Sequence, residues 1–169
     1  MTIINRNTLF LMKPIKEMKS QKIQENGVSY GLAEAGYDIR LKQEISFIPD
    51  SDGGSIRIND DGKIYYRNGK FCLASAIEEF DMPKDLVGVV HDKSTWARQG
   101  LSVFNTVIEP GWKGFLTLEL VHHGNEPLHL PAGCGIAQVI FHQALNLASY
   151  EGKYQNQADQ PVESIFVES

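Results

Sequence analysis

The sequence predicts an all-β fold, mainly strands with short helices, arranged as a sandwich or barrel. Three observations carry this reading. From Tyr37 onward, short runs of alternating apolar and polar residues recur at regular spacing. Turn signals such as Asp60-Asp61-Gly62 and Asn68-Gly69 separate them. In the middle of the chain only Asp92–Gln99 reads as a helix, and it is short.

In chain order, residues 1–13 read as a short helix with Asn5 and Asn7 as candidate caps and Pro14 marking its end. Residues 14–30 are polar, lack a period, and read as a loop with a short helical turn. Tyr37–Leu41 and Glu44–Ile48 alternate as strands do. Ser55–Asn59 and Lys63–Arg67 flank a tight turn and form a hairpin, and Lys70–Ser75 follows. Leu86–His91 is the next strand. The helix Asp92–Gln99 is expected to be capped by Asp92 or Ser94 and stopped by Gly100. Leu101–Val107, Gly114–His122, Leu128–Leu130 and Ile136–His142 complete the strands, and a polar tail runs over 146–169.

At 169 residues and 18.9 kDa the chain fits one domain over 1–169, with a core at about 30–145. A hydrophobic share of 42% supplies that core and excludes disorder as the main state. No run approaches the ~20 apolar residues of a membrane span. The start, MTIINRNTLFLMK, is too polar for a signal peptide, and two cysteines make no disulfide framework. A soluble, cytoplasmic protein without membrane partners is expected. The net charge of −5, from 16 basic and 21 acidic residues, argues against a nucleic-acid partner but leaves room for a phosphorylated small molecule.

Four segments carry candidate chemistry. Lys93-Ser94-Thr95-Trp96-Ala97-Arg98 sits where a strand enters a helix, and backbone N–H groups, two hydroxyls and a lysine there suit an anion. Arg98 follows Ser94 by one helical turn and shares its face; a capped, solvated helix is the plainer alternative. In Phe115–Val121 both alternating faces are mostly apolar, so the strand is expected to be buried on both sides, with Glu119 its lone carboxylate. Desolvation would raise the Glu119 pKa and suit it to moving protons; an ordinary paired or solvated glutamate is the alternative. The turn Ile108–Gly114 offers Glu109 to a sugar hydroxyl and Trp112 to a sugar or base, or is a plain turn with a core tryptophan. Lys153–Gln157 could close over phosphates, or simply be a polar terminus.

No metal site is expected. The His-x-Glu and Pro-Cys-x-x-Cys pattern of a zinc deaminase is missing. His122 and His123 should point to opposite faces of a strand, and Cys134 reads as a small buried residue.

Taken in order, Ala35–Leu41, Lys93–Gly100, Glu109–Gly114, Thr117-Leu118-Glu119, Pro131–Gln138, and Lys153, Tyr154 and Gln157 in the tail resemble the dCTP deaminase/dUTPase superfamily. The resemblance implies a distorted β-barrel or jelly-roll-like, dUTPase-type (β-clip) subunit in a homotrimer with active sites between subunits. It implies dCTP as the nucleoside triphosphate ligand, or else dUTP or dTTP, with Mg²⁺ bound through the triphosphate and no zinc. It implies hydrolytic deamination of dCTP to dUTP and ammonia, with Glu119 as general acid/base and Ser94 and Arg98 positioning water, base and Glu119. Lys93, Ser94, Thr95, Lys153 and Gln157 would hold the phosphates, with Tyr150 beside them. Glu109 would bond the 3′-hydroxyl, Trp112 would pack beside the sugar, and the tail 146–169 would close over the phosphates. The connection Leu101–Glu109 is shorter than the family's usual one, which leaves the base open among cytosine, a modified cytosine and uracil. A dUTP diphosphatase, a bifunctional enzyme and a non-catalytic nucleotide-binding regulator are the alternatives.

Overall fold

The structure is a computed structural model and describes residues 2–167. Met1 of the expected N-terminal helix and Glu168 and Ser169 of the tail therefore lie outside the described residues.

Sixteen short elements follow one another: β1 (Ile3–Ile4), α1 (Arg6–Met12), β2 (Lys22–Glu25), β3 (Val28–Leu32), β4 (Gly36–Arg40), β5 (Glu44–Ile48), β6 (Ser55–Asp60), β7 (Lys63–Asn68), β8 (Phe71–Asp81), β9 (Leu86–Asp92), α2 (Ser94–Ala97), β10 (Leu101–Val103), β11 (Val107–Ile108), β12 (Lys113–His122), β13 (Leu128–Leu130) and β14 (Gly135–Gln143). They form three antiparallel sheets. The largest runs β11-β9-β14-β4-β3-β2, with β1 added alongside β14. The second is β10-β12-β8 and the third β13-β5-β6-β7. The all-β class is therefore as expected, with the two helices reduced to one and two turns.

Alternation explains how the sheets close on one core. In β5 and β6, Ile45, Phe47, Ile56 and Ile58 point inward and are buried, while their neighbours stay half-exposed. In β14 and β4 the buried set includes Ile39, Tyr37, Val139 and Phe141. Tyr37 is so enclosed that burial pushes its hydroxyl up to about 12. The buried cluster reaches into the N-terminal stretch, through Ile4, Leu9, Ile15 and Val28.

Three expectations are corrected. First, residues 14–30 are not all loop: β2 and β3 form a hairpin around Asn26-Gly27, both at positive φ (51° and 76°), the conformation a two-residue turn of this type demands. Its outer strand, Lys22–Glu25, lies at the sheet edge, so its polar residues carry no apolar alternation to read. Second, β8 continues six residues beyond Ser75 to Asp81, pairing with Lys113–Phe115 of β12 past a bulge. Third, neither Asp92 nor Ser94 caps α2. Lys93 occupies the cap position without a side-chain bond, and the Asp92 carboxylate accepts the Val103 backbone N–H at 2.7 Å.

Candidate active site

A cavity of about 370 Å³ opens on the face of the β10-β12-β8 sheet. Its floor is β12. Glu119 and Thr117 project from the same face of that strand, and Leu73 of β8 lies directly across from Glu119. The expectation of a strand buried on both faces needs revision here. Leu116, Leu118 and Leu120 are buried, whereas Phe115, Glu119 and Val121 are half-buried, because their face borders the cavity or solvent.

The walls are largely apolar: Phe71, Leu73, Val107, Ile108 and Trp112 line it. In these surroundings burial pushes the Glu119 carboxyl above its ordinary range, while its own backbone N–H and the Thr106 hydroxyl pull it partly back. The Thr106 hydroxyl donates to Glu119 Oε2 at 3.4 Å, and Glu119's carbonyl accepts the Phe104 N–H at 3.0 Å. A half-buried carboxyl among largely apolar walls, with its pKa raised by burial, is thus in place.

Glu109, Trp112, Tyr150 and Gln157 also line this cavity, as does Glu163 of the tail. Trp112 is a core tryptophan as well as a wall. It is buried, packs on Phe80 with ring centroids 6.0 Å apart, and donates its indole N–H to the Tyr154 carbonyl at 2.7 Å.

The tail folds back onto β12 and the turn before it. Gln157 bridges Gly114, with the Phe115 N–H donating to the Gln157 carbonyl at 3.1 Å, and Val162 N–H donates to the Thr117 hydroxyl at 3.0 Å. Gly114 makes this possible. It sits at φ 128°, and a Cβ there would lie 2.5 Å from the Gln157 nitrogen. The tail is further pinned by Lys42 on Asp159 and by Arg67 on Glu163, at 2.8 and 3.2 Å. Lys153 points outward, its ammonium bonded to the Ile165 carbonyl.

The basic motif lies elsewhere on the chain. Ser94, Thr95 and Arg98 are exposed, and their side chains make no hydrogen bond or ion pair among the described residues. Arg98 borders a separate cleft with His122 and Glu126. Lys93 faces inward and forms an ion pair with the buried Asp38 of β4. The sheet order explains that contact: Asp38 pairs with Gln138, Gln138 with His91, and Lys93 follows two residues later, on the same face. Gly135 leaves room beneath the Lys93 side chain, and its carbonyl accepts the Trp96 indole N–H at 2.7 Å, anchoring α2. No Lys, Arg or His lines the cavity among the described residues.

The loop Phe104–Val107, expected from its place in the sequence to line the base, does bring Thr106 and Val107 to the cavity, whereas sequence reasoning passed over Thr117 as a cavity residue. The signal was available for Thr117, which shares the Glu119 face by alternation; Thr106 depends on a loop closing over β12.

A family model described as dCTP deaminase-like matches residues 11–144. The chain belongs to this family. Among members, a dCTP deaminase of Acidobacterium capsulatum is 32% identical over 159 residues, covering 85% of this chain and 86% of the relative. A dCTP deaminase of Helicobacter pylori is 36% identical over 155 residues, covering 81% and 82%. The fold is likewise shared with solved structures. A 2'-deoxycytidine 5'-triphosphate deaminase from Agrobacterium tumefaciens matches with a TM-score of 0.56 and 16% identity, over 82% of this chain and 47% of that one. The dUTPase of Staphylococcus bacteriophage 80alpha matches at 0.52 and 13%, over 82% and 94%.

Proposed function

We propose that this protein deaminates dCTP by hydrolysis, giving dUTP and ammonia, with Glu119 as the general acid/base. The observation that carries the reading is Glu119 itself, the one carboxyl on a strand lining an apolar cavity and held above its ordinary pKa by burial. Such a carboxyl trades a proton near neutral pH more readily than a solvated one. Glu119 takes a proton from the attacking water as its oxygen bonds to C4 and the C4=N3 double bond opens, and passes that proton to N3. It then takes the proton of the new C4 hydroxyl and delivers it to the amine, which leaves as ammonia as the C4–N bond breaks and C4=O forms.

The lack of cations around the cavity supports the second part of the proposal. A nucleoside triphosphate carries several negative charges, so its phosphates need partners from outside this cavity. The exposed Ser94, Thr95 and Arg98 offer donors without partners among the described residues, and Lys93 holds the loop that presents them. We place these groups beside the cavity of a neighbouring copy, in a homotrimer with shared sites. Ser94 and Arg98 there position water, base and Glu119. The exposed Phe71, Phe104 and Val107 beside the cavity give that copy an apolar rim to cover. Glu109 receives the 3′-hydroxyl, Trp112 backs the sugar, and Tyr150, Lys153, Gln157 and the tail close over the phosphates. Residues 1–169 act as one domain in a cytoplasmic enzyme.

Mg²⁺ enters with the substrate, on the triphosphate. No group of three or more metal-ligating side chains occurs among the described residues, and burial pushes the Cys72 and Cys134 thiols up to about 12. A zinc-independent reaction fits this donor set. The test is to incubate the purified protein with Mg²⁺ and dCTP, and separately with dUTP, and resolve the products by ion exchange. dUTP and ammonia from dCTP are expected, and also after chelation and Mg²⁺ replacement. Release of dUMP would point to the diphosphatase, and binding without turnover to a regulator.

A further inference from the structure

The geometry points to Thr106 as a positioning residue, one that holds the Glu119 carboxylate in a fixed orientation at the cavity floor. The inference rests on the deaminase reading of this site. Thr106 lies in the short loop between β10 and β11, and that loop is fastened on both sides. On one side Val90 of β9 donates its N–H to the Thr106 carbonyl at 3.0 Å. On the other, the Phe104 N–H donates to the Glu119 carbonyl at 3.0 Å and the Thr106 hydroxyl to Glu119 Oε2 at 3.4 Å. The loop thereby ties residue 119, through both its backbone and its side chain, to the large sheet.

Thr106 is the only side chain that hydrogen-bonds the Glu119 carboxylate among the described residues. The strand across the sheet offers Leu73 and Phe71, and β11 offers Val107 and Ile108, none with a polar side chain. The other titratable groups around the cavity are Glu109 on the turn and Tyr150, Tyr154 and Glu163 on the tail, with no cation among them. A carboxylate in such a place has free rotation about its last bond unless a donor holds one oxygen. The Thr106 hydroxyl, whose other acceptor is the Phe104 carbonyl at 3.5 Å, reaches Oε2, and the other oxygen is left to meet water and substrate. Because a hydroxyl donating to the charged form favours that form, Thr106 also limits how far burial raises the Glu119 pKa.

Thr106→Val removes the hydroxyl at nearly constant shape, and Thr106→Ser keeps it. For Thr106→Val, kcat on dCTP is expected to fall about tenfold with KM within about threefold, the pattern of a group that acts on the chemical step. The acid limb of the kcat profile should move upward by roughly half to one pH unit, the size of one net hydrogen bond. Thr106→Ser should restore both. A second readout needs no turnover: the Glu119 side-chain carboxyl, followed by ¹³C NMR, should titrate higher in Thr106→Val than in wild type. An unmoved titration, or a serine variant as impaired as valine, overturns the inference. If wild type leaves dCTP unchanged, the deaminase reading fails instead, and the NMR titration still decides the role of Thr106.

Discussion

The cavity face and the α2 corner are opposite in character. The cavity has apolar walls and three carboxylates, Glu109, Glu119 and Glu163, with no cation among the described residues. The α2 corner has exposed hydroxyls and an exposed guanidinium that makes no ion pair among the described residues, at the edge of a separate cleft. A carboxyl is raised by desolvation only where water is excluded, and phosphate-binding groups are useful only where a charged ligand can reach them. The two environments conflict within one small surface. The division is what the proposed assembly would resolve, by joining the apolar half of one copy to the charged half of the next.

The strongest test of the dry half is Glu119→Gln. It keeps the shape and hydrogen-bond capacity but cannot carry the proton, so kcat on dCTP should drop by about 10² or more with nucleotide binding retained. Calorimetric binding beside a product assay checks this, and full activity in the variant would remove Glu119 from the reaction.

The division itself can be broken by mixing. Arg98→Ala should be nearly inactive as well. If one site takes Glu119 from one copy and Arg98 from the next, coassembled Glu119→Gln and Arg98→Ala chains should regain about a quarter of wild-type activity, because half of each contributing face is intact. A site formed within one chain would regain none.

Lys93 marks the border between the two halves. Its motif points to phosphate, yet the structure gives its ammonium to Asp38, which is also held by Gln138 at 3.0 Å. Lys93→Met would leave a buried carboxylate without its cation, at a cost of about 3–5 kcal/mol. Denaturant unfolding should reveal this loss. A variant of wild-type stability but weakened nucleotide binding would instead return Lys93 to the phosphates.

A smaller effect is expected at Gly114. Alanine there would meet the Gln157 backbone, so Gly114→Ala should loosen the tail at a cost of about 1–2 kcal/mol. Limited proteolysis near Tyr154 should quicken, and KM should rise more than kcat falls.

The same contrast decides what could be read from the sequence. The hairpin β6–β7 and strands β5 and β13 were legible because alternation and a tight turn specify them locally. Glu119 was legible as a carboxyl in an apolar strand, and Gly100 as a helix stop. The edge strand β2 was not, since a polar edge has no period. Nor was the end of β8, where Ala74-Ser75-Ala76 buries three successive small residues and Glu78 is buried against Arg40 at 2.8 Å. The direction of Lys93 depended on Asp38, 55 positions away, and the docking of the tail on the positive φ of Gly114. Both are properties of contacts between distant segments.

The dry half should also leave a mark on stability. Burial raises the Glu119 pKa in the fold, so the fold favours the protonated form. Any stabilisation from that group is therefore fully present below the unfolded glutamate pKa and is lost as pH rises through the folded value. As pH rises the wild type must ionise this carboxyl against its surroundings, and Glu119→Gln removes that cost. The variant should melt higher than wild type near pH 7, with the gap closing as pH falls toward 4. Buried Glu78, also raised by desolvation, is present in both proteins and cancels in the comparison. Lower stability at high pH is the expected cost of keeping a carboxyl out of water, and an equal or lower melting temperature for Glu119→Gln would show that the cavity is wetter than its walls suggest.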